Sequence, residues 1–535
     1  MTSSTALTGL ALRRKQYPDG LCPSTVGASP EGKALKRSEN NMKYISTRGN
    51  NQKLSSAEAI IKGLADDGGL FVPDSMPHVD MAFIEGLQRL SYQERAVKVL
   101  SLFLTDYTQE EIEGCVSRAY GNGKFDDDAI APVNFLKDVS VLELWHGPTS
   151  AFKDMALQLL PQLLSTALKK TGEKNEVLIL VATSGDTGKA ALEGFKDVEQ
   201  TKIMVFYPDN GVSRIQRLQM VTQLGSNVNV TAVKGNFDDA QSGVKAIFSD
   251  SKFNAQLNEK GISLSSANSI NWGRLVPQIV YYFSAYADIL NKGCIKAGDK
   301  ISFVVPTGNF GDILAGYYAM SMGLPVKKLI CASNTNNVLT DFLNTGIYDR
   351  NRDFFKTISP SMDILISSNL ERLLYHVTGD AAKVAGWMKE LAETGKYDVG
   401  AEVLSKIKEV FSADWSDDEA TKGMIKREYD MEKYIPDPHT AVAWNAFYKL
   451  DDQKNVVIVS TASPYKFNES VLTALGQDID GKDEFQLLDE LSKLNSFGIP
   501  AGLAKLKMAK ISHENTVEKG EMPKSVLQFA ENKKK

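Results

Sequence analysis

Cysteine is scarce in this chain of 535 residues: there are four, Cys22, Cys115, Cys294 and Cys331, and no two stand in a Cys-x-x-Cys pair. That excludes a disulfide framework and a thiolate zinc site, and it is the usage of a protein kept in a reducing compartment such as the cytoplasm. Histidine is nearly as scarce, with five residues, and His78, His376 and His513 stand in no metal-ligand spacing, so no metal is expected. A surplus of positive charge is missing too. The formal net charge of -5 argues against nucleic acid or an anionic membrane surface as partner. No apolar run reaches the roughly 18 to 20 residues of a membrane-crossing helix, and the N-terminus has no apolar core of the secretory type. What is present is ordinary: 43% hydrophobic and 24% charged residues, enough to bury large cores.

Residues 1–41 are rich in Ser, Gly and Pro, carry Arg13, Arg14 and Lys15, and show no helical or strand period. They read as a disordered extension, with Met42 opening the folded protein. A transit peptide also has basic residues and few acids, but no amphipathic stripe is visible here. Residues 42–130 read as a small helical domain, a wall or lid. It begins with a capped helix over Ser56–Leu64 that stops near Asp67-Gly68-Gly69, and apolar residues follow at helical spacing from Gln93 to Phe103 and from Gln109 to Tyr120. Residues 131–470 alternate strand and helix patterns, with a helical insertion at about 370–435. Residues 471–535 alternate charged and apolar residues at helical spacing and read as a helical cap.

The chemistry is concentrated in residues 131–470. Lys153 ends the run Trp145-His146-Gly147-Pro148-Thr149-Ser150-Ala151-Phe152-Lys153. A lysine amine in an apolar pocket has a lowered pKa and can condense with an aldehyde cofactor, then shuttle protons. His146 is placed to shape that loop. Downstream, Val177–Ala182 is an unbroken apolar run of the kind that fills a parallel strand covered on both faces. Thr183-Ser184-Gly185-Asp186-Thr187-Gly188 then leads into a helix, whose free N–H groups and hydroxyls can gather around a carboxylate. One such turn is most simply a strand-to-helix connection.

Repetition argues for ligands. Ile301–Val305 runs into Pro306-Thr307-Gly308-Asn309-Phe310-Gly311-Asp312 and a further helix. The glycines allow close backbone approach and the helix start faces a dianion, with Asp312 expected to cap the N–H groups and turn away from the guest. No Gly-Lys-Ser or Gly-Lys-Thr follows, so this is no nucleotide P-loop. Val456–Ser460 delivers Thr461 at its carboxyl end, where open α/β sheets place ligands. The segment from Ser265 to Arg274, with Asn268, Ser269 and Asn271, collects donors and a guanidinium at the start of an apolar helix, a second anion site or simply a capped core helix.

These motifs resemble the threonine synthase family: Trp145 to Asp154, Thr183 to Gly188, Asn268-Ser269-Ile270-Asn271, Gly308 to Asp312 and Thr461-Ala462. The likeness runs from about Lys43 to about Ser470. It includes Leu64 to Pro73, Pro360 to Asn369 and Asp437 to Val442, which look like the long, fungal-like branch. It implies an α/β fold of the fold type II pyridoxal-phosphate class (tryptophan synthase β-like), with two open parallel-type sheet domains and a small helical N-terminal domain. The implied reaction converts O-phospho-L-homoserine and water to L-threonine and phosphate with pyridoxal 5'-phosphate as cofactor. By matching position, Lys153 bonds the cofactor aldehyde. Gly308, Asn309, Phe310, Gly311 and Asp312 hold its phosphate, Thr461 meets the ring nitrogen and Asp186 lies near the ring hydroxyl. Thr183, Ser184, Gly185 and Thr187 are expected to hold the substrate carboxylate, and Asn268, Ser269, Asn271 and Arg274 its phosphate. Two departures are visible: Thr307 where the family often has serine, and Ser463-Pro464-Tyr465-Lys466-Phe467 where His-Pro-Ala-Lys-Phe is more usual. A phospholyase or dehydratase of a hydroxy amino acid shares the cofactor loops and stays open as an alternative. A cytoplasmic monomer or homodimer is expected.

Overall fold

Val456–Ser460 is buried along its whole length, as an unbroken apolar strand must be when both faces of its sheet are covered. It lies inside a six-stranded sheet whose order is Phe411–Trp415, Val326–Ser333, Ile301–Pro306, Val456–Ser460, Ser140–Glu143 and Val133–Phe135. All neighbours in it are parallel except the last pair. A second, five-stranded sheet, parallel throughout, runs Asn515–Val517, Val228–Val233, Thr201–Pro208, Glu176–Ala182 and Ile262–Ser265. The two open sheets are those expected of a fold type II chain. The structure is a computed structural model and describes residues 41–183, 185–209 and 211–532. Apart from Asn41, the disordered extension expected over residues 1–41 lies outside these, as does Ser184.

Between the sheets runs the long helix Trp272–Asn291, nearly all of whose residues are buried. A helix that is apolar on every side belongs at the centre of a core. Tyr44 and Phe103 meet the Trp272 ring at centroid distances of 5.1 and 5.6 Å. The Arg95 guanidinium reaches the same helix, with Nη1 2.7 Å from Ser284 Oγ and 2.7 Å from Asp288 Oδ1.

Three expectations are corrected by this packing. Residues 42–130, expected as a helical wall or lid, are not purely helical: they carry a two-stranded ribbon, Tyr44–Ser46 with Phe71–Pro73, and their helices share one hydrophobic core with Trp272–Asn291. The helical insertion at 370–435 contains the edge strand Phe411–Trp415 of the large sheet. The C-terminal region is not only a helical cap. Asn515–Val517 extends the small sheet, and helix Met522–Glu531 covers that sheet through Met522, Val526 and Phe529. Lys202 Nζ holds the last turn of this helix by donating to Ala530 O at 2.8 Å. Short, amphipathic, charge-rich stretches carry too little periodic signal to separate an edge strand from a helix.

The first helix shows how local chemistry sets the boundaries. Ser56–Lys62 is shorter than expected because Ser55 caps it in a reciprocal box with Glu58 and Gly63 ends it at φ +70°. Tight packing also fixes the lysine segment. Helix Asp186–Phe195 crosses Lys153–Leu157 at Gly194, where a Cβ would lie 1.8 Å from the Leu157 carbonyl oxygen. Gly194→Ala therefore has to push the lysine helix aside. It should destabilise the protein by about 2 kcal/mol or more, read as a lower urea midpoint, and an unchanged midpoint would show that the two helices separate freely.

Candidate active site

Three hydrogen bonds and a bridge hold the lysine loop against the end of the central strand. Leu144 N donates to Ser460 O at 3.0 Å, Phe152 N to Thr461 O at 2.8 Å and Ser463 N to Ser150 O at 3.1 Å, and Ala151 and Ala462 form an isolated antiparallel bridge. Lys153 and Thr461 are thus brought to the same place by the sheet. Lys153 opens its helix buried, with Nζ 3.1 Å from Ser361 Oγ, 3.7 Å from Asp186 Oδ2 and 4.8 Å from the Phe152 ring centroid. Burial pulls the amine down to about 8, helped by the charges of Lys466 and Arg274 and opposed by Asp186. An amine poised there is both nucleophile and base.

Asp186 sits in the first turn of its helix. Lys466 Nζ lies 2.6 Å from Oδ1, and Gln216 Nε2 donates to the same oxygen at 3.0 Å. Burial alone would raise this carboxyl, but Lys466 and Lys153 outweigh it and hold the group well below the usual carboxylate range. Lys466 comes from the turn Pro464–Phe467, which follows the same strand as Thr461, and its side chain is wholly buried.

The Gly308 to Asp312 loop has the form of an anion cradle. Phe310 holds a left-handed φ of +61°, unusual for a non-glycine residue, and its ring is buried 5.6 Å from that of Phe411. Its backbone opens helix Gly311–Ser321 with no side-chain cap on the N–H groups. Asn309 O accepts from Asn369 Nδ2 at 2.9 Å and Gly308 O from Ser367 Oγ at 2.8 Å, so the loop's carbonyls are tied back. A Cβ on Gly308 would lie 2.7 Å from Ser361 O. The expected capping role of Asp312 is not observed. Its Oδ1 accepts from the hydroxyls of Tyr281 at 2.7 Å and Tyr282 at 2.8 Å, and burial pushes the carboxyl up to about 6 against those two bonds. Burial between two phenols removes it from the helix N–H groups, and Oδ2 has no partner among the described residues.

Arg274 has the chemistry expected of a second anion site. It is buried, Nη1 donates to Ala267 O at 2.8 Å, and no carboxylate among the described residues pairs with it. Ser269 lies beside the cradle, its Cβ 4.0 Å from where a Cβ of Gly311 would stand.

Two other expected substrate donors also position loops. Thr183 Oγ1 accepts from Gly185 N at 3.0 Å and Gly188 N at 2.9 Å, closing its own turn. Asn271 Oδ1 accepts from Gly273 N at 2.9 Å while its Nδ2 donates to Ile60 O at 2.9 Å, so it caps the long helix and ties down the N-terminal one. Gly185, at φ +143°, gives the room that Gln216 fills, whereas Thr187 is half-buried and Asn268 exposed.

Lys466, Ser361, Gln216 and His439 were not singled out as site residues by sequence reasoning. Ser361 and His439 do lie in segments that carry the family likeness, and Lys466 is the lysine kept within a segment that otherwise departs from it; Gln216 had no signal. A fold with two open parallel sheets, a buried near-neutral lysine, an uncapped glycine cradle and a buried guanidinium whose charge reaches that lysine fits pyridoxal phosphate. Together these features define a fold type II pyridoxal-phosphate enzyme.

Comparison with known proteins is more specific. Residues 43–120 match the family described as threonine synthase N terminus, 136–405 the pyridoxal-phosphate dependent enzyme family, and 440–501 the family described as threonine synthase, C-terminal. The threonine synthase of Saccharomyces cerevisiae is 39% identical over 488 residues, covering 85% of this chain and 93% of its own length. That of Pseudomonas aeruginosa is 42% identical over 442 residues, 82% of this chain and 91% of its own. The crystal structure of PLP-bound threonine synthase from Brucella melitensis superposes with a TM-score of 0.82 at 38% identity, over 92% of this chain and 100% of that one. The chain belongs to the threonine synthase family.

Two predictions follow from the charges. Lys466→Met removes a cation that lowers the Lys153 amine, so the acid limb of the turnover profile should move to higher pH by roughly half a unit to one unit; an unmoved limb would remove Lys466 from the electrostatics of the site. At the loop's entrance, His146 Nδ1 lies 2.7 Å from Asp126 Oδ1 and Nε2 3.0 Å from Glu143 Oε2. Burial opposes the imidazolium, but the two carboxylates outweigh it and push the ring up to about 9. A raised folded pKa contributes stability that is complete below the unfolded value of roughly 6.5 and is lost as pH rises through about 9. The urea midpoint should fall across that window, and His146→Gln should flatten the fall.

Proposed function

We propose that this protein converts O-phospho-L-homoserine and water to L-threonine and phosphate, the last step of threonine biosynthesis, as a cytoplasmic monomer or homodimer. The observation that carries the phosphorylated substrate is Arg274, a buried guanidinium with no acid partner whose charge is felt by Lys153. An unpaired buried cation is costly to keep unless an anion occupies the site during work. Cys115 and Cys331, buried as free thiols, support a reducing compartment.

Lys153 would bond the cofactor, the uncapped loop at Gly308 to Asp312 would take its phosphate, Thr461 would face the ring nitrogen, and Asp186 the ring hydroxyl. Bound there, pyridoxal phosphate supplies an electron sink for charge developing on the substrate. A neutral hydroxyl at Thr461 leaves the ring nitrogen largely unprotonated. Lys153 Nζ, once free, removes the Cα proton and returns protons to the carbon skeleton, as its near-neutral value permits. Arg274 and Ser269 orient the phosphate before departure and retain it afterwards, where it can take a proton from the attacking water.

The experiment supplies O-phospho-L-homoserine and follows phosphate, threonine and 2-oxobutyrate together. Equal phosphate and threonine are expected, with none from Lys153→Ala. Phosphate accompanied by 2-oxobutyrate and ammonia would replace this reading with a phospholyase. Arg274→Gln should raise KM by roughly tenfold or more, the worth of a charged hydrogen bond to phosphate.

A further inference from the structure

Ser361 stands at the centre of a short turn, Pro360–Met362, its backbone N–H held from outside the turn and its carbonyl packed against Gly308. Its N–H donates to His439 Nε2 at 3.1 Å, and its carbonyl oxygen lies against Gly308, where any Cβ would come within 2.7 Å. The hydroxyl is then held between the two charged partners of the site: Lys153 Nζ donates to Oγ at 3.1 Å, and Oγ faces Asp186 Oδ2 at 3.4 Å. Since Lys153 donates to the serine oxygen, the serine proton is free to point at the carboxylate.

The histidine is itself fixed. Its Nδ1 lies 2.6 Å from Asp437 Oδ1, and the ring packs edge-on to Phe467 at 4.9 Å. Asp437 caps helix Pro438–Tyr448, also accepting from the backbone of His439 and Thr440. A ring nitrogen that accepts from a backbone N–H carries no proton, so the ring proton sits on Nδ1 and is given to Asp437. His439 and Asp437 are both buried, and no step described above uses them. Besides capping that helix, Asp437 fixes the His439 ring, and His439 Nε2 in turn holds the Ser361 backbone in place.

We propose that Ser361 is a further catalytic residue, whose hydroxyl binds the free Lys153 amine and aims its lone pair, and that His439 and Asp437 are positioning residues acting through the Ser361 backbone. No net proton transfer to serine is involved. Lys153 takes the substrate proton onto Nζ, one N–H points to Ser361 Oγ, and the Ser361 hydroxyl points to Asp186. The arrangement confines the lysine between proton removal and proton return. This rests on the proposed activity only for the identity of the substrate.

The test uses the full chain with two readouts, the pH midpoint at which pyridoxal phosphate attaches to Lys153 and turnover with O-phospho-L-homoserine. Loss of the hydroxyl removes an acceptor that favours the ammonium, so Ser361→Ala should move the attachment midpoint down by about half a unit. It should also lower kcat about tenfold or more with KM nearly unchanged. Ser361→Thr, which keeps the hydroxyl, should restore most of both. His439→Leu should reproduce the alanine variant, while His439→Gln, which keeps an acceptor, should lie nearer wild type. If His439→Leu does not fold, the two serine variants decide. An unmoved midpoint with wild-type kcat in Ser361→Ala would overturn the proposal. A wild type that makes no threonine would overturn the activity instead, leaving the attachment midpoints to judge Ser361.

Discussion

One buried carboxylate makes the centre of this protein possible. Asp186 sits between two lysine ammonium groups, Lys466 at 2.6 Å and Lys153 at 3.7 Å, all three screened from water. Without it, two like charges would face each other unscreened in a poorly polarisable interior. With it, Lys466 stays as the close partner and Lys153 is left with a weaker hold. That inequality leaves Lys153 at about 8, where an amine can lose and regain a proton.

The rest of the fold brings these three groups together. Asp186 arrives from the helix after Glu176–Ala182 in the small sheet, while Lys153 and Lys466 flank strands of the large one. Functional groups therefore collect at the carboxyl ends of strands, as open parallel sheets dictate. The N-terminal residues form a packed wall of this centre. They pack on it through Trp272, Arg95 and the Arg48 to Glu371 ion pair at 2.8 Å.

How much could be read beforehand depended on the kind of signal. Val456–Ser460 and Ile301–Pro306 were legible because a strand buried on both faces is a continuous apolar run. Lys153, Gly308 and Arg274 were legible because glycine turns and lone cations stand out against such runs. Asn515–Val517 was not, since it has three residues and is polar and exposed along most of its length. Ser361 and His439 lie within shared motifs, and Lys466 in a segment that departs from the family pattern, but none carried a role, because a serine, a lysine and a histidine mean nothing until they meet.

By itself the sequence determined the class of fold, the lysine and the anion-binding loops, since these depend on local periodicity, glycine conformation and residue type. Only the tertiary structure decided which polar side chains face the site. Thr183 and Asn271 have the chemistry to bind a ligand, yet in the folded chain they satisfy backbone N–H groups, one at its own turn, the other at a helix start. Asp312, expected on helix N–H groups, lies instead against two phenols from a helix about 30 residues away. Hydrogen-bond partners of buried groups are set by what folding places within about 3 Å, and that distance is unrelated to separation along the chain.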